Sequence, residues 1–231
     1  LRGMIDASPD GRTVAICYDY DTASTTIPQI GHIEVYDFDR VLGILSNGRH
    51  IRSHHDQMVT FVEFSQNGRF LYSTQRVDRN ALQQGYEYLM QYDLQSGTQS
   101  GIQASTYIVD STNSSTGNFY ECLRLGLNDR IYITRSASTF LDVIENPNVA
   151  GSNCNFRSRA INTLWTTGVG QGYGPYMPTF PSFYFFKHDF TSQDVCLSDT
   201  SWFVLNDSIC KDSAVWDFGD GAGAMGFEPQ G

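Results

Sequence analysis

The 231-residue chain is 40% hydrophobic, 13% aromatic and only 17% charged, enough apolar material for one or at most two domains with a core. Twenty-five acids against fifteen bases give a formal net charge of −10, which argues against a general nucleic-acid binder, and the chain has no apolar run of about eighteen residues to span a bilayer as a helix. Thirteen Tyr, fifteen Phe and 21 Gly describe a β-rich chain and exclude an all-helical one.

In chain order, Ser8-Pro9-Asp10-Gly11-Arg12 is a turn signal ahead of a short β-rich run, Thr13 to Tyr18. Gly31 to Asp39 predicts a strand carrying Tyr36-Asp37 near its end. His50, His54, His55 and Asp56 come next. The HxxxH spacing of His50 and His54 chelates a metal only on a helix, and Gly48 before and the strand at Met58 after leave little room for one; the segment reads as a solvated loop. Met58 to Phe64 predicts a strand, Ser65-Gln66-Asn67-Gly68-Arg69 a second turn, and Phe70 to Thr74 a run placed 57 residues after the first. Tyr88 to Leu94 repeats the Tyr-Asp ending. Phe119 to Leu125, the turn Leu127-Asn128-Asp129-Arg130 and Ile131 to Thr134 form a weaker third copy, with Tyr132 lying 60 residues after Tyr72. Phe140 to Ile144 predicts its next strand.

Each unit therefore reads strand, Asp/Asn-Gly turn, strand, loop, strand, polar loop, with room for a fourth strand. This predicts an all-β fold in which residues 1–187 form three visible blades of a β-propeller, an incomplete ring whose remaining blades lie upstream of Leu1. An unrelated β-sandwich also shows strands at such intervals, but the repeated turn and Tyr-Asp ending, in constant order, favour blades. The Gly/Pro-rich stretch from Gly168 to Pro178 reads as a long loop, and Phe180, Phe183 and Phe185 as a buried aromatic strand closing the propeller end. Residues 188–231 turn polar and begin a second module.

That module contains Val215-Trp216-Asp217-Phe218-Gly219-Asp220-Gly221, which resembles the WDFGDG signature of the polycystic-kidney-disease-type (PKD) domain, an immunoglobulin-like sandwich. Cys196 to Phe203 is similar to that family's first strand, and the approximately forty remaining residues make it the N-terminal part of such a domain. With the turns, Ile144-Glu145-Asn146-Pro147-Asn148 and Gly151-Ser152-Asn153-Cys154-Asn155-Phe156, the chain resembles large surface proteins of Bacteroidetes-type bacteria that carry a propeller, PKD sandwiches and often a gliding-motility-associated C-terminal region for type IX secretion. The resemblance implies an extracellular or outer-surface protein.

Five Cys with no CxxC lack the spacing of a cysteine zinc site. In an oxidising compartment a hairpin can bring Cys196 to Cys210, and Cys122 is expected to pair with Cys154 within one blade, leaving Cys17 as a buried thiol; the alternative is that all five are reduced. Asp19, Asp21, Asp37 and Asp39 can be read as calcium ligands, but they lack the Asp-x-Asp-x-Asp-Gly loop and read first as an acidic face. GxSxG is absent, and the SxxK at Ser208 to Lys211 has no KTG beside it. No catalytic, cofactor or metal residue is assigned. The expected function is a non-enzymatic surface scaffold or binding protein for a protein or glycan partner, adhesion or gliding associated. Glycan binding or degradation, and a subunit of an outer-membrane secretion or motility assembly, are the alternatives.

Overall fold

The computed structural model describes residues 2–19, 31–53, 58–76, 86–113, 119–136, 138–163, 190–193, 202–205, 215–217 and 223–225. It divides into two compact units, 1–185 and 186–231. The fold is all-β, in antiparallel sheets.

The first unit contains three four-stranded sheets, each a meander in chain order. The first is β1 (Arg2–Ala7), β2 (Thr13–Asp19), β3 (His32–Asp39) and β4 (Ile44–Arg52). The second is β5 (Met58–Phe64), β6 (Phe70–Arg76), β7 (Tyr86–Asp93) and β8 (Tyr107–Asn113), and the third is β9 (Tyr120–Leu125), β10 (Ile131–Arg135), β11 (Phe140–Ile144) and β12 (Phe156–Asn162).

The turn that opens each sheet shows why the copies align. Ser8 Oγ donates to Asp10 Oδ1 at 2.6 Å and accepts from Thr13 N at 2.9 Å, while Gly11, at φ +65°, donates its N–H to Ser8 O. Ser65, Asn67, Phe70 and Gly68 repeat the same bonds 57 residues on, with Gly68 at φ +69°. Gly11 and Gly68 thus occupy equivalent turns, in a conformation that glycine adopts without steric cost. In the third copy Asp129 takes this place at φ +61° and donates to Gly126 O, in a loop one residue shorter.

The sheets lie face to face around two buried layers. Ala15, Cys17, Ile33, Val35 and Ile51 of the first sheet pack with Val62, Leu71, Met90 and Tyr92 of the second. Phe70, Tyr72 and Leu89, from the second sheet's other face, pack with Leu123, Ile131, Ile133, Ile144 and Cys154. The first strands adjoin, β1 beside β5 and β5 beside β9. A short helix, α1 (Gln99–Ala104), capped by Thr98 Oγ1, inserts Ile102 into the first layer.

Two expectations are corrected here. His50 is not in a loop: it lies within β4, opposite Glu34 of β3. Cys122 and Cys154 are not bridged. Side chains alternate faces along a strand, so Cys122 points away from the face on which its neighbour Leu123 packs with Cys154. The Cys122 thiol donates to Leu123 O, whereas the Cys154 thiol meets the Tyr72 hydroxyl. Cys17 is fully buried.

In the second unit, β13 (Phe190–Gln193) pairs with β14 (Trp202–Leu205), and β15 (Val215–Asp217) with β16 (Gly223–Met225). The Phe203 and Trp216 rings stand 6.0 Å apart at a tilt, a favourable aromatic geometry. Phe218 to Gly221, Cys196, Cys210, Phe180, Phe183, Phe185, the 168–178 stretch, His54 to Asp56 and the Ser208–Lys211 pair lie outside the described residues.

Candidate functional site

One face of the first sheet packs in the core, and among the described residues the other carries partly covered side chains. Along β3 the alternation His32, Glu34, Tyr36 against Ile33, Val35 places the three polar side chains on that second face. Register then assembles a cluster: Tyr18 pairs with His32 across β2–β3, and Glu34 with His50 across β3–β4. The His32 ring is sandwiched, stacked on Tyr18 at 4.8 Å and on His50 at 4.4 Å. Glu34 Oε2 accepts from the Tyr36 hydroxyl at 2.7 Å and the Tyr18 hydroxyl at 3.2 Å, while Oε1 lies 3.7 Å from His32 Nε2. One ligand atom from each of His32, Glu34 and His50 lies within 4.8 Å of the other two.

The surroundings hold this arrangement in place. A register shift between Val35 and Asp37 brings Tyr36 over Gly48, where a Cβ would come within 2.8 Å of the ring, so only glycine lets the phenol lie there. The outer edge of β4 is tied down by α1. Gln99 Oε1 accepts from His50 N, and Gln103 takes up both Arg52 N and Arg52 O, completing an edge that would otherwise present free backbone groups. Burial and the nearby His32 push the His50 pKa down, favouring the neutral imidazole. The Tyr36 pKa is raised by its bond to Glu34, and that of Tyr18 by burial and Glu34, so both phenols remain donors at neutral pH.

The other charged clusters act as structural ties. Asp6, Glu63 and Arg124 stand two residues before the turn in each copy, on β1, β5 and β9 respectively, and they meet. Arg124 Nη1 is 2.7 Å from Glu63 Oε2; burial raises Asp6 to about 6, and burial with repulsion from Asp6 raises Glu63 well above the carboxylate range. Arg135 binds Asp142, Asp110 and the Tyr120 hydroxyl. Asp37 is engaged by Asn47 and Arg49, and Asp39 caps the next turn through Val41 N and Leu42 N, so two of the four acids read for calcium are committed to protein donors. The Asp19 side chain and Asp21 lie outside the described residues. A shallow groove of about 290 Å³ between the first two sheets is lined by Asp37, Arg49 and Arg69, but both arginines are paired, with Asp37 and Asp93.

Among the described residues, His50 is the sequence candidate that enters the His/Glu/Tyr cluster. His32, Glu34, Tyr18 and Tyr36 were not singled out, although the period-2 pattern His-x-Glu-x-Tyr already places three of them on one strand face. No family model matches the chain, and no curated protein does.

Proposed function

We propose that residues 1–187 form consecutive blades of a β-propeller and residues 188–231 the first part of a PKD-type sandwich. In this reading the chain works as a non-enzymatic binding or display platform outside the cell. The observation that carries the reading is the convergence of Asp6, Glu63 and Arg124: equivalent positions of three successive sheets meet only if the first strands gather on a common side, as they do around a propeller axis. Trp216 on a strand beside Phe203 supports the sandwich half of the reading. The chain's sparse charge and aromatic content suit a rigid surface module that recognises a protein partner.

A glycan partner is the second reading, favoured by Tyr86, Tyr107 and Trp202, which expose 46%, 36% and 44% of their surface and offer faces on which sugar rings stack. Labelling intact source cells with a membrane-impermeant amine reagent tests the location, and the reading expects the protein in the labelled or released fraction. Recovery only from the unlabelled cell interior overturns it. A glycan array probed with the 231-residue chain then separates the two partner classes.

A further inference from the structure

We propose that His32, Glu34 and His50 form a binding site for one divalent transition-metal ion of the zinc class. Two imidazoles and one carboxylate are the three-ligand set that zinc takes when its fourth position stays open to water or a partner group, whereas calcium and magnesium take oxygen donors. The inference stands on the geometry of the first sheet.

Two features make this more than a chance meeting of side chains. The ligands come from adjacent strands in fixed register, Glu34 opposite His50 and His32 two residues along the same face, so the backbone already sets their spacing. Ligand atoms within 4.8 Å need to close by at most about 1.4 Å to reach the roughly 3.4 Å separation of two donors bound at about 2.0–2.1 Å in a tetrahedral site. Binding requires the two stacked imidazoles to turn about their side-chain bonds so that their in-plane lone pairs converge on one ion.

The second feature is the pair of tyrosines. Tyr18 and Tyr36 both donate to Oε2 of Glu34 and leave Oε1 on the histidine side. Outer hydrogen bonds of this kind orient a ligating carboxylate. The His32 and Glu34 side chains keep 22% and 26% of their surface exposed.

The counterpart positions in the second sheet show what a purely structural version of this face contains. His32, Glu34 and Tyr36 correspond to Tyr88, Met90 and Tyr92, and Met90 and Tyr92 pack in the buried layer. At the same register positions the first sheet carries a set of metal-donor side chains.

The test is zinc titration of the 231-residue chain by calorimetry, with cobalt(II) as the optical probe. The expected result is one ion per chain and a tetrahedral cobalt spectrum with nitrogen and oxygen ligands. His32→Ala, His50→Ala and the near-isosteric Glu34→Gln should each weaken zinc by at least about 100-fold. Tyr36→Phe, which removes only an orienting bond, should cost about 10-fold. Because the chain also contains His54, His55 and His188, a His54→Ala/His55→Ala/His188→Ala variant should bind within about threefold of the parent. Circular dichroism melts confirm that each variant is folded, and Glu34→Gln keeps the test decisive if an alanine variant is not. No saturable binding overturns the proposal, as does binding that survives His50→Ala and Glu34→Gln or disappears in the triple variant.

Discussion

The first and second sheets are built from the same repeat but live in different surroundings. In the second sheet Phe70 to Gln75 are all buried, because packed layers lie on both faces. In the first, β2 and β3 alternate, with Ala15, Cys17, Ile33 and Val35 inside and Val14, Ile16, His32 and Glu34 only partly covered. The difference teaches that a position in the repeat does not fix the chemistry of its side chain. Val14 and Leu71 make the same register pairs, yet Leu71 is fully buried and Val14 is not. Glu34 and Met90 also correspond, and one is a hydrogen-bonded carboxylate while the other is core.

Exchanging those two residues breaks the comparison most severely. Met90→Glu places a carboxylate in a fully buried layer and is expected to cost more than about 4 kcal/mol or prevent folding, whereas Glu34→Met in metal-free buffer should stay within about 0.5 kcal/mol. Urea melts of both variants check this. Next, Leu71→Ala should cost about 2–5 kcal/mol through transfer and cavity terms, and Val14→Ala less than about 1.5 kcal/mol at the same repeat position. Equal losses would mean that the two faces are alike.

Acid–base behaviour sharpens the contrast. Burial raises Glu87 to about 7 and Glu63 well above its usual value in the second sheet, and Asp6 to about 6 where β1 meets it. The folded state therefore holds protons that the unfolded chain releases near pH 4, so stability should fall as pH rises from about 4 to about 7. Asp37 and Asp39 in the first sheet are lowered by hydrogen bonds and act oppositely, with a small loss only as pH falls below about 4. Thermal melts at pH 5 and pH 8 should favour pH 5, and Glu63→Gln/Glu87→Gln should flatten the difference. The smallest effects belong to the turns: Gly68→Ala should cost about 1 kcal/mol at its positive φ, and Asp129→Gly should gain up to about 1 kcal/mol.

The three turns were legible because their chemistry is local. Ser, Asp or Asn, and Gly bond to neighbours within five residues, and the periodic runs beside them became β2, β3, β5, β6, β7, β9, β10 and β11. The third turn was faint because Asp129 stands where the first two have Gly and the loop is one residue shorter. The fourth strands were not located. In β4, Asn47-Gly48 has the composition of a turn yet sits inside the strand, and the exposure of 44–48 hides the alternation. The His/Glu/Tyr cluster was half legible: His32, Glu34 and Tyr36 share a face by period alone, but His50 joins them only through β3–β4 register. The Asp6–Glu63–Arg124 convergence depends on how separate sheets pack, which no local pattern encodes.

Equivalent first strands of successive sheets adjoin, β1 beside β5 and β5 beside β9. A double-mutant cycle between Glu63 on β5 and Arg124 on β9, using Glu63→Gln and Arg124→Met at pH 8, tests it most directly. The account predicts strong non-additivity, with Arg124→Met alone costing about 3–5 kcal/mol by stranding a buried carboxylate and a coupling energy of about 1–3 kcal/mol. Losses that add within about 0.5 kcal/mol would contradict it, because residues 61 positions apart that do not touch have no reason to couple.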